Sequence, residues 1–288
     1  MTMANSESNS NLWYEIRESV GEYCDERAPA GDWHISRDPR SSDVLAFNFF
    51  FPLRQDPEGL SHALTALRGL PTRVDSLDLL PPTVTEAIAA SQPRPVSNVV
   101  ISFCDDAGTG LLLLKCTFTE TDLGACPSRT GVRLSDSHDG CASGAGECSV
   151  PWCRSYLQRL AGSPREASSN ATRPICPFTE GGHQAMRGLV LARTMVEAWD
   201  ADTVEFGLVC DSRNTALRSR VRHWNSRVHL LSWSYQEILG ALAGTSAQPM
   251  GAWRAFLRTR YGLTPEVSQG AISTEHPSLC RQPDQEAW

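Results

Sequence analysis

The sequence predicts an α/β fold in which a mixed central β-sheet is flanked by helices. A β-branched and aromatic run at 96–103 and an apolar run at 111–119 predict two strands, and the turn residues between them predict a hairpin. Apolar residues recur at helical spacing over 184–199, and a further β-branched run follows at 203–210. A hairpin followed by a helix and another strand is typical of a mixed sheet covered by helices.

The part of the chain before the hairpin is predicted to be helical. Apolar residues form one helical stripe over 12–24, and Ser41-Ser42-Asp43 provides a cap for a helix over 44–53. Two more helices are predicted at 60–70 and 81–90.

The rest of the chain completes the predicted organisation. A helix at 151–161, a strand at 228–233 and closing helices at 234–242 and 251–261 are expected, with an arginine-rich helix before the last strand. The predicted parts are a disordered tail at 1–11, a helical part at 12–95, an α/β core at 96–262 with a Cys/Gly/Ser-rich insertion at 124–150, and a C-terminal tail at 263–288.

Composition limits the function classes. The formal net charge of -7 argues against a globally basic nucleic-acid-binding surface, although a local arginine patch remains open. The N-terminus has no signal-peptide pattern, and no apolar stretch reaches the ~20 residues that a membrane helix needs. We therefore expect a cytoplasmic protein that does not contact membrane.

Five segments together carry a family resemblance. They are "SSDVLAFNFFFPL", "SNVVISF", "GLLLLKCTFTETDLGAC", "CPFTEGGHQAMRGLVLA" and "FGLVCDSRNTAL". Over residues 41–217 their order resembles the PD-(D/E)XK, or restriction-endonuclease-like, nuclease superfamily, and within it a bacterial restriction-endonuclease family. The resemblance implies a restriction-endonuclease-like mixed sheet flanked by helices, DNA as a partner, and a role in bacterial defence.

The same resemblance implies that the catalytic motif is degenerate. The metal-binding Asp of the family falls on Val100, the Glu of its Glu-x-Lys motif on Lys115, and the Lys on Thr117. Framework positions of the family persist at Gly110, Phe118, Thr119, Glu120, Gln184 and Arg187. Glu120 and Gln184 are the polar pair that we expect to survive from the site.

These departures remove the chemistry of a magnesium site. Two carboxylates hold Mg²⁺ in such nucleases, whereas Val100 offers no side-chain oxygen and Lys115 adds a positive charge. At ~4 Å and an effective dielectric near 20, that charge costs about 4 kcal/mol per unit of metal charge. We expect a catalytically inactive protein without a cofactor. The alternative is an active, Mg²⁺-dependent DNA endonuclease whose carboxylates have moved within the cleft.

Strand alternation leaves the role of this face open. It places Lys115, Thr117 and Thr119 on one side, which is either a former active cleft or the wetter face of a sheet. Asp105 and Asp106 at the hairpin turn are expected to be solvated charges.

Two further groups are candidate sites. The nucleic-acid contacts that we predict are Arg187, Arg213, Arg218, Arg222 and Trp224, with a solvated helix face as the alternative and a protein partner in place of DNA also open. Cys126, Cys141, Cys148 and Cys153 are a candidate zinc site, but they lack C-x2-C spacing and suit a loop equally well. The other cysteines at 24, 104, 116 and 210 are expected to pack in the core.

Overall fold

The computed structural model describes residues 9–27, 36, 38–79, 99–124, 181–199, 201–225, 230–243 and 250–266. The predicted helices at 81–90 and 151–161, nearly all of the insertion at 124–150, and most of each predicted tail lie outside these residues.

Among the described residues, three helices precede the sheet. They are α1 (Arg17–Arg27), α2 (Ser42–Phe50) and α3 (Pro57–Arg68), with 3-10 turns at Asn9–Asn11, Tyr14–Ile16 and Pro52–Gln55. The predicted cap of α2 is confirmed, because the Ser41 hydroxyl accepts a hydrogen bond from the backbone N–H of Asp43. Helix α3 ends at Gly69, which adopts the left-handed conformation (φ 70°) that glycine favours.

Five strands form one mixed sheet among the described residues, in the order β1-β2-β3-β4-β5. They are β1 (Arg73–Asp78), β2 (Val99–Asp105), β3 (Gly108–Cys116), β4 (Thr203–Cys210) and β5 (Leu231–Ser234). The pairs β1–β2 and β2–β3 are antiparallel, and the pairs β3–β4 and β4–β5 are parallel.

Helices connect and follow the parallel strands. They are α4 (His183–Ala198) before β4, α5 (Thr215–Asn225) before β5, and then α6 (Tyr235–Leu242) and α7 (Met250–Tyr261). The predicted hairpin, the predicted helix after it and the α/β class with a mixed sheet are confirmed.

The sheet is buried on both faces, because its strands carry apolar side chains that point both ways. Ile101, Leu112 and Leu114 belong to the buried cluster that contains residues of α2, α3, α6 and α7. Val100 and Leu113 belong to a second cluster, which contains residues of α4 and α5. A sheet with parallel strands and two covered faces explains the leucine run in β3.

Strand β1 lies inside the part that the sequence predicts to be helical. It is an edge strand with exposed Asp75 and Ser76, and its pairing with β2 shifts between Val74 and Ser76. The two apolar residues, Val74 and Leu77, are therefore three positions apart, which hides the alternation that identifies a strand.

The hairpin turn differs from the prediction at one residue. Asp106 is exposed as expected, but Asp105 is buried at 6% exposure and forms an ion pair with Arg68 of α3 at 2.9 Å. Asp105 is therefore a buried partner of α3, and its assignment as a solvated charge is wrong.

The predicted boundaries do not separate independent cores. The helices before β1 share one buried cluster with α6 and α7, and Leu263, in the predicted C-terminal tail, is also part of it. The backbone N–H of Glu266 donates to the carbonyl of Gln236 in α6 at 3.0 Å. In the described part of the chain, no helix has both the length and the apolar character that crossing a membrane requires.

Candidate functional site

The carboxyl ends of β3, β4 and β5 lie at one edge of the sheet because these strands are parallel. Helices α5 and α6 begin just after β4 and β5, and α4 begins beside the segment after β3, where the N–H of Gln184 donates to the carbonyl of Leu123 at 2.9 Å. Ligands of open α/β sheets bind outside the carboxyl ends of the strands. This edge, from Thr117 to Gly124 with Asp211–Asn214 and the start of α2, is called the carboxyl edge below.

Val100 and Lys115 share one face of neighbouring strands. Val100 pairs with Leu113 in the antiparallel register, so Lys115 is its diagonal neighbour, at a typical separation of about 7–8 Å. Val100 is 3% exposed and belongs to the cluster that contains Ala185 of α4, whereas Lys115 is half-buried. The structure therefore places these two motif positions on one face, but Val100 is buried in the core and does not line an open cleft.

Thr117 has a structural contact in this protein. Its backbone N–H and its hydroxyl both donate to the carbonyl of Val209 in β4, at 2.8 and 3.2 Å. The side chain is fully buried. Thr117 is therefore not part of a wetter sheet face, because its hydroxyl extends the pairing of β3 with β4.

Glu120 joins three elements at the carboxyl edge. Its carboxylate accepts hydrogen bonds from the Ser42 hydroxyl at the start of α2 and from the N–H of Phe118 at 2.7 Å. Its carbonyl accepts from Asn214 Nδ2 at 2.7 Å, before α5. Among the described residues no hydrogen bond links Glu120 to Gln184, and the Ser42 hydroxyl and the Phe118 N–H contact the carboxylate instead.

A second carboxylate, Asp211, follows directly after β4. Its side chain is 6% exposed and accepts from Arg213 Nε at 2.9 and 3.1 Å and from Gln236 Nε2 at 2.8 Å. Burial acts to raise the pKa of Asp211, but the hydrogen bonds from Arg213 and Gln236 outweigh it, so the pKa lies below its ordinary value.

This network was only partly visible in the sequence. The segment "FGLVCDSRNTAL", one of the five that carry the family resemblance, contains Asp211, Arg213 and Asn214. Gln236 carries no such signal, because it meets Asp211 only after β5 is placed beside β4 and the capping box of Ser234 and Glu237 starts α6.

The predicted nucleic-acid contacts fall into different environments. Trp224 is 1% exposed and lies in the core, so its indole is not available to stack on a base, and this assignment is wrong. The amphipathic pattern of α5 explains the burial, because Leu217, Val221 and Trp224 recur at helical spacing on one face.

The arginines differ in the exposed fraction of their side chains. Arg213 has a side chain that is 58% exposed, but it is committed to Asp211 and to the carbonyl of Tyr261 at 2.8 Å. Arg218 is half-buried, with one N–H donated to the carbonyl of Ser212 at 3.3 Å. Arg222 is exposed on α5, and Arg187 is half-buried on α4, where burial lowers its pKa.

His183 starts α4 at the carboxyl edge. Its backbone N–H donates to the carbonyl of Gly124 at 3.2 Å, and its side chain is buried. Burial, together with the positive charge of Arg187, lowers the pKa of His183 to about 4. The imidazole is therefore neutral at physiological pH.

The cysteines divide into two groups. Cys126, Cys141, Cys148 and Cys153 lie outside the described residues. The free thiols at 24, 116 and 210 have pKa values raised to about 12, 12 and 11, chiefly by burial, which makes them poor nucleophiles. Cys104 is buried as expected but is disulfide-bonded.

No group of three His, Cys, Asp or Glu side chains within the described ranges is arranged to hold a metal ion. Two carboxylates at the carboxyl edge are engaged by protein donors, Glu120 by Ser42 and Asp211 by Arg213.

Comparison with known proteins does not assign this chain to a family. No family model, no curated protein and no solved structure matches it.

Proposed function

We propose that this chain is a catalytically inactive, nuclease-like protein of the restriction-endonuclease superfamily that acts by binding nucleic acid. The observation that carries the proposal is the shared face of Val100 and Lys115 on β2 and β3. The family resemblance requires two carboxylates there, and this chain supplies an aliphatic side chain and an ammonium group.

The order of elements supports the same proposal. The resemblance expects a hairpin, then a helix, then a strand that ends in Asp before an Arg-Asn pair. The chain has β2 and β3, then α4, then β4 followed by Asp211, Arg213 and Asn214. Strand β4 lies parallel to β3, which brings the Asp211 network to the end of β3 where Glu120 lies.

The electrostatics of the carboxyl edge favour an inactive protein. A magnesium ion beside Lys115 is repelled, and recruiting Asp211 requires breaking its hydrogen bonds to Arg213 and Gln236. Recruiting Glu120 requires breaking those from Ser42 and Phe118. Charge-assisted hydrogen bonds contribute about 1.5–3 kcal/mol each, so a relocated site has to offset several of them.

Helix α5 provides the surface for nucleic acid. Arg222 is exposed and Arg218 lies one turn before it, so both guanidinium groups are on one side of the helix. With Trp224 buried, the contact that α5 can make is with phosphates and not with stacked bases. A place in bacterial defence follows from the family resemblance.

Binding is tested by fluorescence anisotropy with labelled duplex DNA at several salt concentrations. We expect Arg222→Gln to weaken binding and to reduce the salt slope by about one, as the loss of one phosphate contact does. Arg258→Gln is the matched control, because Arg258 is an exposed helical arginine on α7. Equal losses in both variants would contradict the assignment of the contact to α5. No binding by the natural protein at low salt would contradict nucleic-acid binding and favour a protein partner.

Catalysis is tested separately by incubating plasmid DNA with Mg²⁺ or Mn²⁺. We expect no cleavage by the natural protein. Cleavage that Glu120→Ala abolishes would overturn the proposal in favour of the alternative, an active metal-dependent endonuclease with a rearranged site.

A further inference from the structure

A cavity of about 180 Å³ opens between α1 and the 3-10 turn Pro52–Gln55, away from the carboxyl edge. Its lining residues are Ser19, Glu22, Tyr23, Glu26, Phe51, Arg54 and Gln55. The volume is below the roughly 300–1,000 Å³ of drug-sized sites, so the cavity suits one small metabolite.

The guanidinium of Arg54 is held in a fixed orientation in this cavity. Its Cζ lies 4.4 Å from the ring centre of Tyr23 and 5.2 Å from that of Phe51, and its Nε donates to the carbonyl of Leu77 at 3.1 Å. The two terminal nitrogens have no acceptor within the described part of the chain. A stacked guanidinium with a free fork is pre-organised to bind a carboxylate through two parallel hydrogen bonds.

Two carboxylates face the same cavity. Glu22 and Glu26 are one helical turn apart on α1, both are exposed, and neither forms an ion pair with a described residue. A simple anion at Arg54 would be repelled by them, and a simple cation would leave Arg54 unused. A ligand with one carboxylate and two cationic groups complements all three charges.

We propose that this cavity binds a free basic amino acid. The α-carboxylate pairs with the fork of Arg54, while the α-ammonium and the side-chain cation pair with Glu22 and Glu26. The Ser19 hydroxyl and the Gln55 amide line the remaining wall. The inference is independent of the proposed nucleic-acid binding.

Isothermal titration with L-arginine tests the site on the full chain. Agmatine, which lacks the carboxylate, and L-norleucine, which lacks the side-chain cation, are the comparison ligands. We expect each to bind at least about tenfold more weakly than L-arginine, because each loses a charge-assisted pair. Failure of L-arginine to bind, or equal binding of agmatine, would overturn the proposal.

Variants then locate the site. Arg54→Lys keeps the charge but removes the fork, and Glu22→Gln and Glu26→Gln alter exposed positions that the fold does not need. Each should weaken L-arginine binding by about tenfold, whereas Glu58→Gln, an exposed glutamate on α3, should leave it unchanged. Circular dichroism confirms that each variant is folded. Unaltered binding in both glutamine variants of α1 would refute the assignment of the cations.

Discussion

Asn48 forms hydrogen bonds with segments near both ends of the described chain. It is fully buried on α2, accepts a hydrogen bond from the N–H of Trp13 at 2.6 Å and donates to the Tyr261 hydroxyl at 2.8 Å. The backbone carbonyl of Asn48 accepts a hydrogen bond from the indole N–H of Trp253 at 2.7 Å. One amide side chain therefore ties the segment before α1 and the last helix to α2.

Replacing Asn48 by alanine is expected to be strongly destabilising. Asn48→Ala leaves the Trp13 N–H and the Tyr261 hydroxyl buried without this partner, which costs about 3 kcal/mol of unfolding free energy. Urea unfolding followed by circular dichroism measures the loss. Asn225→Ala, at an exposed helix end, is the control and should change stability by less than about 0.5 kcal/mol. Similar losses in both would contradict the role of the network.

His183 makes the free energy of unfolding decrease as the pH falls. Its pKa is lowered to about 4 in the fold by burial and by Arg187, so between pH ~6.5 and 4 the unfolded chain binds a proton that the folded chain does not. This contribution to the free energy of unfolding is lost as the pH falls through that window. His183→Gln should remove about 1–2 kcal/mol of the pH dependence between pH 8 and 4.5.

Chemical denaturation at several pH values checks this prediction. The natural protein should lose more stability than His183→Gln as the pH falls, whereas His223→Gln, at an exposed position on α5, should follow the natural protein. If the free energy of unfolding of the natural protein and of His183→Gln changes equally with pH, the prediction that folding lowers the pKa of His183 is contradicted.

The sequence predicts individual residues least well where exposure decides their role. Trp224 and Thr117 are of types suited to stacking and to a cleft, but Trp224 lies in a buried cluster and Thr117 is buried beside β4. Their burial depends on contacts between segments that are distant in the chain. The local pattern does not contain those contacts.

At the scale of elements, a buried ion cluster fastens α3 to the sheet. Arg68 at the end of α3 contacts Asp105 of β2 at 2.9 Å and Glu205 of β4 at 3.2 Å, and its Cζ lies 4.1 Å from the ring centre of Phe103. The side chains of Arg68 and Asp105 are 6% and 5% exposed, so the buried charge of Asp105 depends on Arg68 for its compensation.

Removing one partner should therefore cost more than removing both. Arg68→Met leaves the Asp105 carboxylate buried without its cation and should cost about 3–5 kcal/mol of unfolding free energy. Arg68→Met combined with Asp105→Ala should cost less than the sum of the single changes. Asp75→Ala, which breaks the exposed pair with Arg73 on β1, should cost less than about 1 kcal/mol in the same denaturation assay. Additive losses would show that the buried charges are not coupled.

The same cluster explains a glycine that the resemblance marks as framework. A Cβ at Gly110 of β3 would lie 2.3 Å from the ring of Phe103, the ring that Arg68 covers. The sequence identified Gly110 as part of a pattern, and the reason for it is the close approach of Phe103 across the strand pair.

For the whole molecule, the predicted α/β class with a mixed sheet is confirmed, whereas strand β1 lies in the part predicted to be helical. Strong periodicity identified the hairpin, α4 and β4, because their apolar spacing is set by elements that are buried along most of their length. The predicted boundary at residue 95 lies where helical patterns are followed by strand patterns. Strand β1 and the shared cluster of α2, α3, α6 and α7 show that both sides build one core.

The tie between Asn48 and α7 has a consequence for synthesis of the chain. Trp253, Leu257 and Tyr261 are core residues, and they pack against side chains that are translated some two hundred positions earlier. A ribosome-bound chain cannot complete the core around α2 until α7 has left the exit tunnel. The aromatic residues of α2 therefore lack their packing partners during most of translation. A nascent chain stalled before α7 should be far more sensitive to protease than the released protein.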